Sequence, residues 1–429
     1  MHPLLKLLHK EIAPAEGCTE PIAVAYAVSL ASELLDEDIT QVRLRLSGNI
    51  IKNALGVGIP GTGQSGLPIA AALGAVVRRS HCKLEILSGL TPDELAAANR
   101  LLAQDVLEVE LQDTEEKLYI EAYVKGPSAD ALAVIEREHT RVVRLERNGA
   151  PVETGRDKAD CAAESTDEEA AQLSLDEIYA FVIEAAADEL AFLMDGVAIN
   201  KAISEEGLRG EYGLQVGRKM AQRSAVNLFG EDRATGIIAA AAAASDARMA
   251  GSAMPVMTTA GSGNQGIACT LPVIALAERI GAGAEQLTRA LALSNLVTIH
   301  IKQYIGRLSP LCGSGIAGGV GASSGIVYLM GGSLAQIKRA VQSTIASLSG
   351  MICDGAKATC ALKISTGTNA AIQAAILAMN DISPSPSDGV IFDEVEDTIR
   401  NMERFVQEGM SGADATILSI MLSKPGQAD

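Results

Sequence analysis

Cys312, Cys353 and Cys360 stand toward the C-terminal end of the chain among small, neutral residues. Cys312 opens the run Cys-Gly-Ser-Gly-Ile-Ala-Gly-Gly-Val-Gly-Ala-Ser-Ser-Gly, and the other two form a C-x6-C pair in Ile-Cys-Asp-Gly-Ala-Lys-Ala-Thr-Cys. Three thiolates can hold a 4Fe–4S cluster through three of its irons. The fourth iron is then open to act as a Lewis acid on a substrate, which is catalysis rather than electron transfer. Free cysteine is also a common core filler, but each of these has Gly, Thr or Asp on at least one side. Zinc would want a fourth ligand and tighter C-x2-C spacing; His300 could be that ligand, but the spacing is missing.

Charge points the same way. Between Glu285 and Asp354 there is no acidic residue, although the whole chain carries a formal charge of −18. That stretch holds Arg289, Lys302, Arg307, Lys338 and Arg339, an environment suited to anions such as a thiolate-ligated cluster and a carboxylate substrate. Cys18 lies in Ala-Glu-Gly-Cys-Thr-Glu-Pro, just ahead of a helix expected from about Pro21. A helix N-terminus lowers a thiol pKa, so Cys18 is a candidate catalytic residue, usable as a base or a nucleophile. Cys82 and Cys269 read as core, and Cys161 as an exposed thiol without a role.

Gly-rich turns complete the set of candidates. Ser47-Gly48-Asn49 leads to Lys52 and Asn53, and then to Gly61, Thr62 and Gly63; Ser262 and Asn264 belong to Gly-Ser-Gly-Asn-Gln-Gly. Such turns bare backbone N–H groups at helix starts and make seats for a carboxylate, so these residues are the candidate substrate-binding set. The Gly run after Cys312 matches G-x-G-x-x-G, but no strand pattern precedes it and no acid follows at the ribose distance, so a dinucleotide site is rejected. Pyridoxal chemistry would need a Schiff-base lysine with a phosphate cup, for which Lys52 is the only candidate.

These groups need elements to position them. A chain of 429 residues, 48% apolar and 3% aromatic without Trp, predicts closely packed Ala/Gly-rich helices in an α+β protein: a mainly helical catalytic domain with a smaller inserted α/β lobe. Residues 1–35 read as helices packing on the helical domain. Residues 36–156 read as the lobe, with strands at Ile39–Leu46, Lys83–Leu87, Val106–Gln112, Leu118–Val124 and Arg141–Arg147. Helices at Leu67–Arg79 and Thr91–Gln104 separate them. Residues 157–177 read as an acidic linker, residues 165–429 as an all-helical cluster-binding domain, and Lys424–Asp429 as a frayed tail.

The bulk properties also bound partners and compartment. The acidic balance excludes nucleic acid. The N-terminus lacks a signal-peptide pattern. Seven scattered cysteines suit a reducing cytoplasm. Leu308–Ile337 is uncharged between its ends but crowded with Gly and Ser, so it reads as a buried helix pair rather than a membrane span. A helical domain of this size suits a homodimer.

Taken together, Glu16 to Pro21, Ser47 to Asn53, Gly58 to Gly63, Gly261 to Gly266 and the three distal cysteines resemble the L-cysteine desulfidase family. That family is related to the α-part of iron–sulfur L-serine dehydratases. The resemblance runs over nearly the whole chain. It implies a 4Fe–4S cluster on Cys312, Cys353 and Cys360, with Cys18 matching the motif cysteine proposed as a base. The implied reaction is β-elimination of L-cysteine to sulfide, ammonia and pyruvate. L-Serine dehydration by the same chemistry and a non-catalytic redox sensor are the alternatives.

Overall fold

The computed structural model describes residues 1–152, 173–222 and 232–424. The linker expectation over 157–172, Cys161 and the tail beyond 424 lie outside the described residues.

Helix α1 (Pro3–Glu11) starts where Pro3 needs no N–H partner and the His2 ring accepts the Leu4 N–H. It buries Leu4, Leu5 and Leu8. A two-residue strand β1 (Pro14–Ala15) then leads to α2 (Thr19–Glu33), with Cys18 at its N-cap. Nearly every residue of α2 is buried, because a sheet covers one side and another helix the other.

The sheet begins with β2 (Gln41–Leu46), whose Val42, Leu44 and Leu46 turn inward. Helices α3 (Gly48–Ala54), α4 (Leu67–Val77) and α5 (Pro92–Leu102) make the crossover to β3 (Leu107–Leu111), which pairs parallel with β2. An antiparallel meander follows: β4 (Tyr119–Lys125), β5 (Asp130–Glu136), β6 (Val142–Arg147) and β7 (Ala150–Pro151). The order across the sheet is β3-β2-β4-β5-β6-β7.

The rest is almost entirely helical. In order come α6 (Leu175–Glu184), α7 (Leu193–Arg209), α8 (Val216–Ala221) and α9 (Arg233–Met249). Strand β8 (Val256–Met257) pairs antiparallel with β1. Then follow α10 (Gly263–Ile280), α11 (Ala284–Ile305), α12 (Ala317–Leu329), α13 (Leu334–Leu348), α14 (Cys360–Met379), α15 (Val395–Arg404) and α16 (Ala413–Leu422). The uncharged stretch after Leu308 forms α12 and the first turn of α13, with α12 buried. Among the described residues no helix is long and apolar enough to cross a membrane.

The α+β class is as the sequence predicts, while several local expectations change. Lys83–Leu87 is not a strand: Ser80–Glu85 winds into a 3-10 helix, and the Glu33 carboxylate accepts the hydroxyl of buried Ser80 at 2.6 Å. Strand β5 escapes the hydrophobic pattern because its Ala-rich run resembles a helix, and only pairing with β4 and β6 extends it. Ser47-Gly48-Asn49 is the start of α3 rather than an open turn. Helix α1 packs on the helical half, but α2 packs on α4 and the sheet.

Small residues let the helices close up. At Gly207 of α7, an added Cβ would collide with the Ala243 carbonyl of α9. Helix α9 also buries Asp246, whose Oδ2 accepts the Gly217 N–H at 3.0 Å while Oδ1 has no partner among the described residues. Burial pushes its carboxyl up to about 6, against the pull of backbone N–H groups at 214–217.

Two predictions follow from this packing. Gly207→Ala should lower unfolding stability in urea by about 1–3 kcal/mol through overpacking. Because the folded-state pKa of Asp246 is raised, its contribution is present below the unfolded carboxylate range and lost as pH rises through about 6. Asp246→Asn should therefore gain about 1 kcal/mol on the native protein between pH 4 and 7, read from urea midpoints at each pH.

Candidate active site

The cysteines converge from three places. Cys312 lies between α11 and α12, and Cys353 and Cys360 bracket the loop leading into α14. The Leu311–Ile352 bridge holds the two segments together, with the Cys312 N–H on the Met351 carbonyl at 2.9 Å and the Cys353 N–H on the Pro310 carbonyl at 2.7 Å. Cys18 arrives from the N-cap of α2 and packs with Cys360, Val57 and Met249. All four thiols line one cavity of about 110 Å³ between the helical half and the lobe.

Asn53, Ser262 and Asn264 line the same cavity. Lys52, Gly61, Thr62 and Gly63 do not. The Gly-rich loop folds on itself, with the Thr62 hydroxyl on the Ile59 carbonyl at 2.8 Å, and docks against the end of α9 through Gly58 and Gly251. Its glycines serve positive φ at Gly61 (+72°) and Gly63 (+66°) rather than a ligand. His300 is also elsewhere: its Nε2 lies 2.8 Å from Glu396, so it is no fourth ligand.

Lys52 is pinned by structure. Its side chain is 1% exposed and its Nζ reaches Asp414 Oδ1 of α16 at 2.6 Å and the Cys353 carbonyl at 3.2 Å. Asn49 donates to the other Asp414 oxygen at 3.0 Å. The Lys52 carbonyl accepts from Lys357 Nζ at 3.3 Å, and the loop backbone comes so close at Gly355 (φ +91°) that no side chain fits. The ammonium is committed to this pair and a carbonyl, which removes it as a Schiff-base candidate.

Among the cavity residues, Arg248 and His139 carried no signal that composition or spacing could pick out. Glu20 accepts from the Cys18 thiol at 3.2 Å and from Asn53 Nδ2 at 3.0 Å. Arg248, at the end of the Ala-rich α9, donates to the Gly17 carbonyl at 2.7 Å, but its Nε–H has no partner among the described residues. Lys302 of α11 is buried with its Nζ on the Arg307 carbonyl at 3.0 Å. His139 reaches in from the β5–β6 turn. The acid-free stretch hinted at Lys302 and Arg307; Arg289, Lys338 and Arg339 instead pair with Glu285, Asp176 and Asp381.

The electrostatics correct one expectation. Burial, then the charge of Glu20, pushes the Cys18 thiol well up despite Arg248. The helix N-terminus does not make it a thiolate. Burial opposes ionisation of Glu20 as well, but His139, the Cys18 hydrogen bond and Arg248 together hold its carboxyl below the usual range.

The residues present fit an iron–sulfur cluster. Burial, then repulsion from Cys312, pushes Cys360 up to about 12; burial and Cys353 likewise raise Cys312. Such thiols ionise when a cation binds them. Backbone N–H groups are already aimed at the sulfurs, from Gly315 to Cys312 at 3.4 Å and from Lys357 to Cys360 at 3.5 Å. Burial drives Lys302 down to about 8 against the opposing pull of Cys353 and Cys312. Among the described residues no three His, Cys, Asp or Glu side chains converge on a single ion; a cluster spreads its thiolates over separate irons.

Comparison with known proteins accords with this chemistry. The sequence profile of the serine dehydratase alpha chain family matches residues 81–419. The chain is 51% identical over 420 residues to a UPF0597 protein of Clostridium perfringens, covering 98% of both chains. It is 42% identical to UPF0597 proteins of Oleidesulfovibrio alaskensis, over 98% of this chain and 97% of the relative, and of Bacteroides thetaiotaomicron, over 99% and 98%. The chain belongs to the serine dehydratase alpha chain family. The relationship to the α-part of iron–sulfur dehydratases read from the motifs stands; those names carry no L-cysteine activity.

The Lys52 anchor is testable. Asp414→Asn should cost about 3 kcal/mol in urea unfolding, because it leaves a buried ammonium short of its partner. The double variant Lys52→Met with Asp414→Leu should recover most of that. Iron taken up per chain under anaerobic reconstitution should nevertheless fall below wild type in the double variant, since the Cys353 carbonyl has lost its Lys52 donor.

Proposed function

Given a chain of the serine dehydratase alpha chain family, we propose β-elimination from a small L-α-amino acid, with L-cysteine the first substrate. The products are sulfide, ammonia and pyruvate. The observation that carries this reading is a pair of cavity-lining residues, Arg248 and Asn53, each with a buried polar atom, the Nε–H and the carbonyl oxygen, that has no partner among the described residues. A zwitterionic amino acid brings a carboxylate for the first and an ammonium for the second. A buried donor or acceptor left unmade costs about 1–3 kcal/mol, so such atoms favour a ligand that completes them.

Cys312, Cys353 and Cys360 would hold a 4Fe–4S cluster, which when bound supplies a Lewis acid toward the leaving atom. The chain's own residues do the rest. Arg248 fixes the carboxylate, and Asn53 with Glu20 takes the ammonium. Among the sequence candidates, Ser262 caps α10 by accepting the Gln265 N–H at 3.4 Å, and Asn264 donates to the Met249 sulfur at 3.3 Å. They shape the wall beside Arg248. Cys18, which the sequence offers as base, holds its proton on Glu20 at 3.2 Å, so the pair can pass a proton on while the thiol itself is not free to accept one.

L-Serine is the second reading, and the family description favours it. Free thiols throughout the described residues agree with the cytoplasmic setting proposed for this chemistry. A homodimer remains part of the proposal.

The test is anaerobic reconstitution followed by pyruvate and sulfide assays on L-cysteine and L-serine side by side. Pyruvate and sulfide from L-cysteine, lost on exposure to air, is the expected result. Pyruvate from L-serine alone moves the assignment to the dehydratase, and a cluster without turnover of either supports the sensor. Cys18→Ser should keep cluster absorbance and lose about 10²-fold or more in kcat; loss of the cluster would make Cys18 a ligand.

A further inference from the structure

Asn53 and Arg248 have work in this reading, while a third cavity-lining residue with a buried polar atom that has no partner among the described residues, His139, has none. His139 sits in the turn between β5 and β6, where Arg137 takes a left-handed φ of +67°. Its Nε2 is buried and bonded to nothing among the described residues. The ring lines the cavity with Cys18, Glu20, Asn53 and Arg248. The charged groups facing it are Glu20 of α2, Arg307 after α11 and its own neighbour Glu138.

An elimination must move the α-proton to a group that can accept it. Cys18 is poorly placed for that, because its sulfur already donates to Glu20 at 3.2 Å. Burial, aided by Arg307, lowers the His139 pKa against the pull of Glu20, so the ring is neutral and keeps an acceptor nitrogen.

We propose that His139 is a catalytic residue whose Nε2 takes the α-proton of the amino-acid substrate. The proposal rests on the elimination reading. The Cα–H electron pair becomes the Cα–Cβ double bond, and the Cβ–S or Cβ–O bond breaks with its pair leaving on sulfur or oxygen. His139 carries the proton as imidazolium opposite Glu20 and returns it to solvent. The lobe thereby contributes a reacting group to a cavity whose thiols all come from outside its sheet.

The experiment uses the anaerobically reconstituted full chain as wild type, His139→Ala, His139→Gln and Cys18→Ser, with L-cysteine and L-serine in protonated and α-deuterated form. Both His139 variants should keep cluster absorbance and the thermal transition and lose about 10²–10⁴-fold in kcat, with KM changed only a few-fold. Added imidazole should restore part of the His139→Ala rate and leave Cys18→Ser unchanged, a response that a merely structural histidine would not show. The proposal is overturned if a folded, cluster-bearing His139 variant keeps wild-type kcat and isotope effect, or if imidazole rescues nothing. Wild type that forms pyruvate from neither substrate would instead bring down the elimination reading, and His139 with it.

Discussion

One lysine holds the cysteine loop in place. Lys52 gives up its hydration almost completely, so its ammonium must be met inside the protein. Asp414 meets it from the C-terminal helix, and the Cys353 carbonyl takes a further hydrogen. The loop from Cys353 to Cys360 has little regular structure of its own. It is fixed by this lysine, by the Lys357 hydrogen bond back to the Lys52 carbonyl and by the backbone contact at Gly355. The first crossover of the lobe and the last described helix thus jointly set where two of the thiols stand.

Around that anchor the helices come unusually close. Gly217 of α8 lies on the backbone of α9, and Gly367 of α14 lies on Gly315 after Cys312. Each contact brings backbone where a side chain would otherwise stand. Gly313 leaves room in the same way for Gln265 and Lys302. A core of alanine and glycine offers less apolar area per residue than one of leucine, so its stability depends on packing density. Polar groups can consequently be sunk deep beside the cavity, where a low dielectric strengthens every interaction they make.

The two halves bring unlike chemistry to the cavity. The helical half supplies three thiols with Arg248 and Lys302, neither of which has a carboxylate partner within ion-pair distance among the described residues. The N-terminal segments and the lobe supply Cys18, Glu20, Asn53 and His139, a set of proton-handling and hydrogen-bonding groups. The β1–β8 pairing and the Glu11–Arg307 ion pair at 2.6 Å tie the halves together along one edge. The cavity exists only because both are present.

How much was legible differs by residue. The α+β class, the α2 entry behind Cys18 and the buried α12 follow from period and composition, which are local properties of the chain. Lys52 was misread because its sequence neighbours are glycines and asparagines, whereas its real partners lie more than 300 residues away. The Gly61–Gly63 turn was misread because positive φ and ligand binding call for the same residue. Arg248 ends an alanine helix and His139 sits in a hairpin turn, places where a charge or a ring usually faces water. The sequence by itself determined which residue types were available for thiolate, proton and carboxylate chemistry, and the class of fold. Only the tertiary structure decided which of them share a cavity, and which of their atoms go unpaired there. Burial and hydrogen bonding depend on side-chain direction and on contacts across hundreds of residues, and spacing along the chain encodes neither.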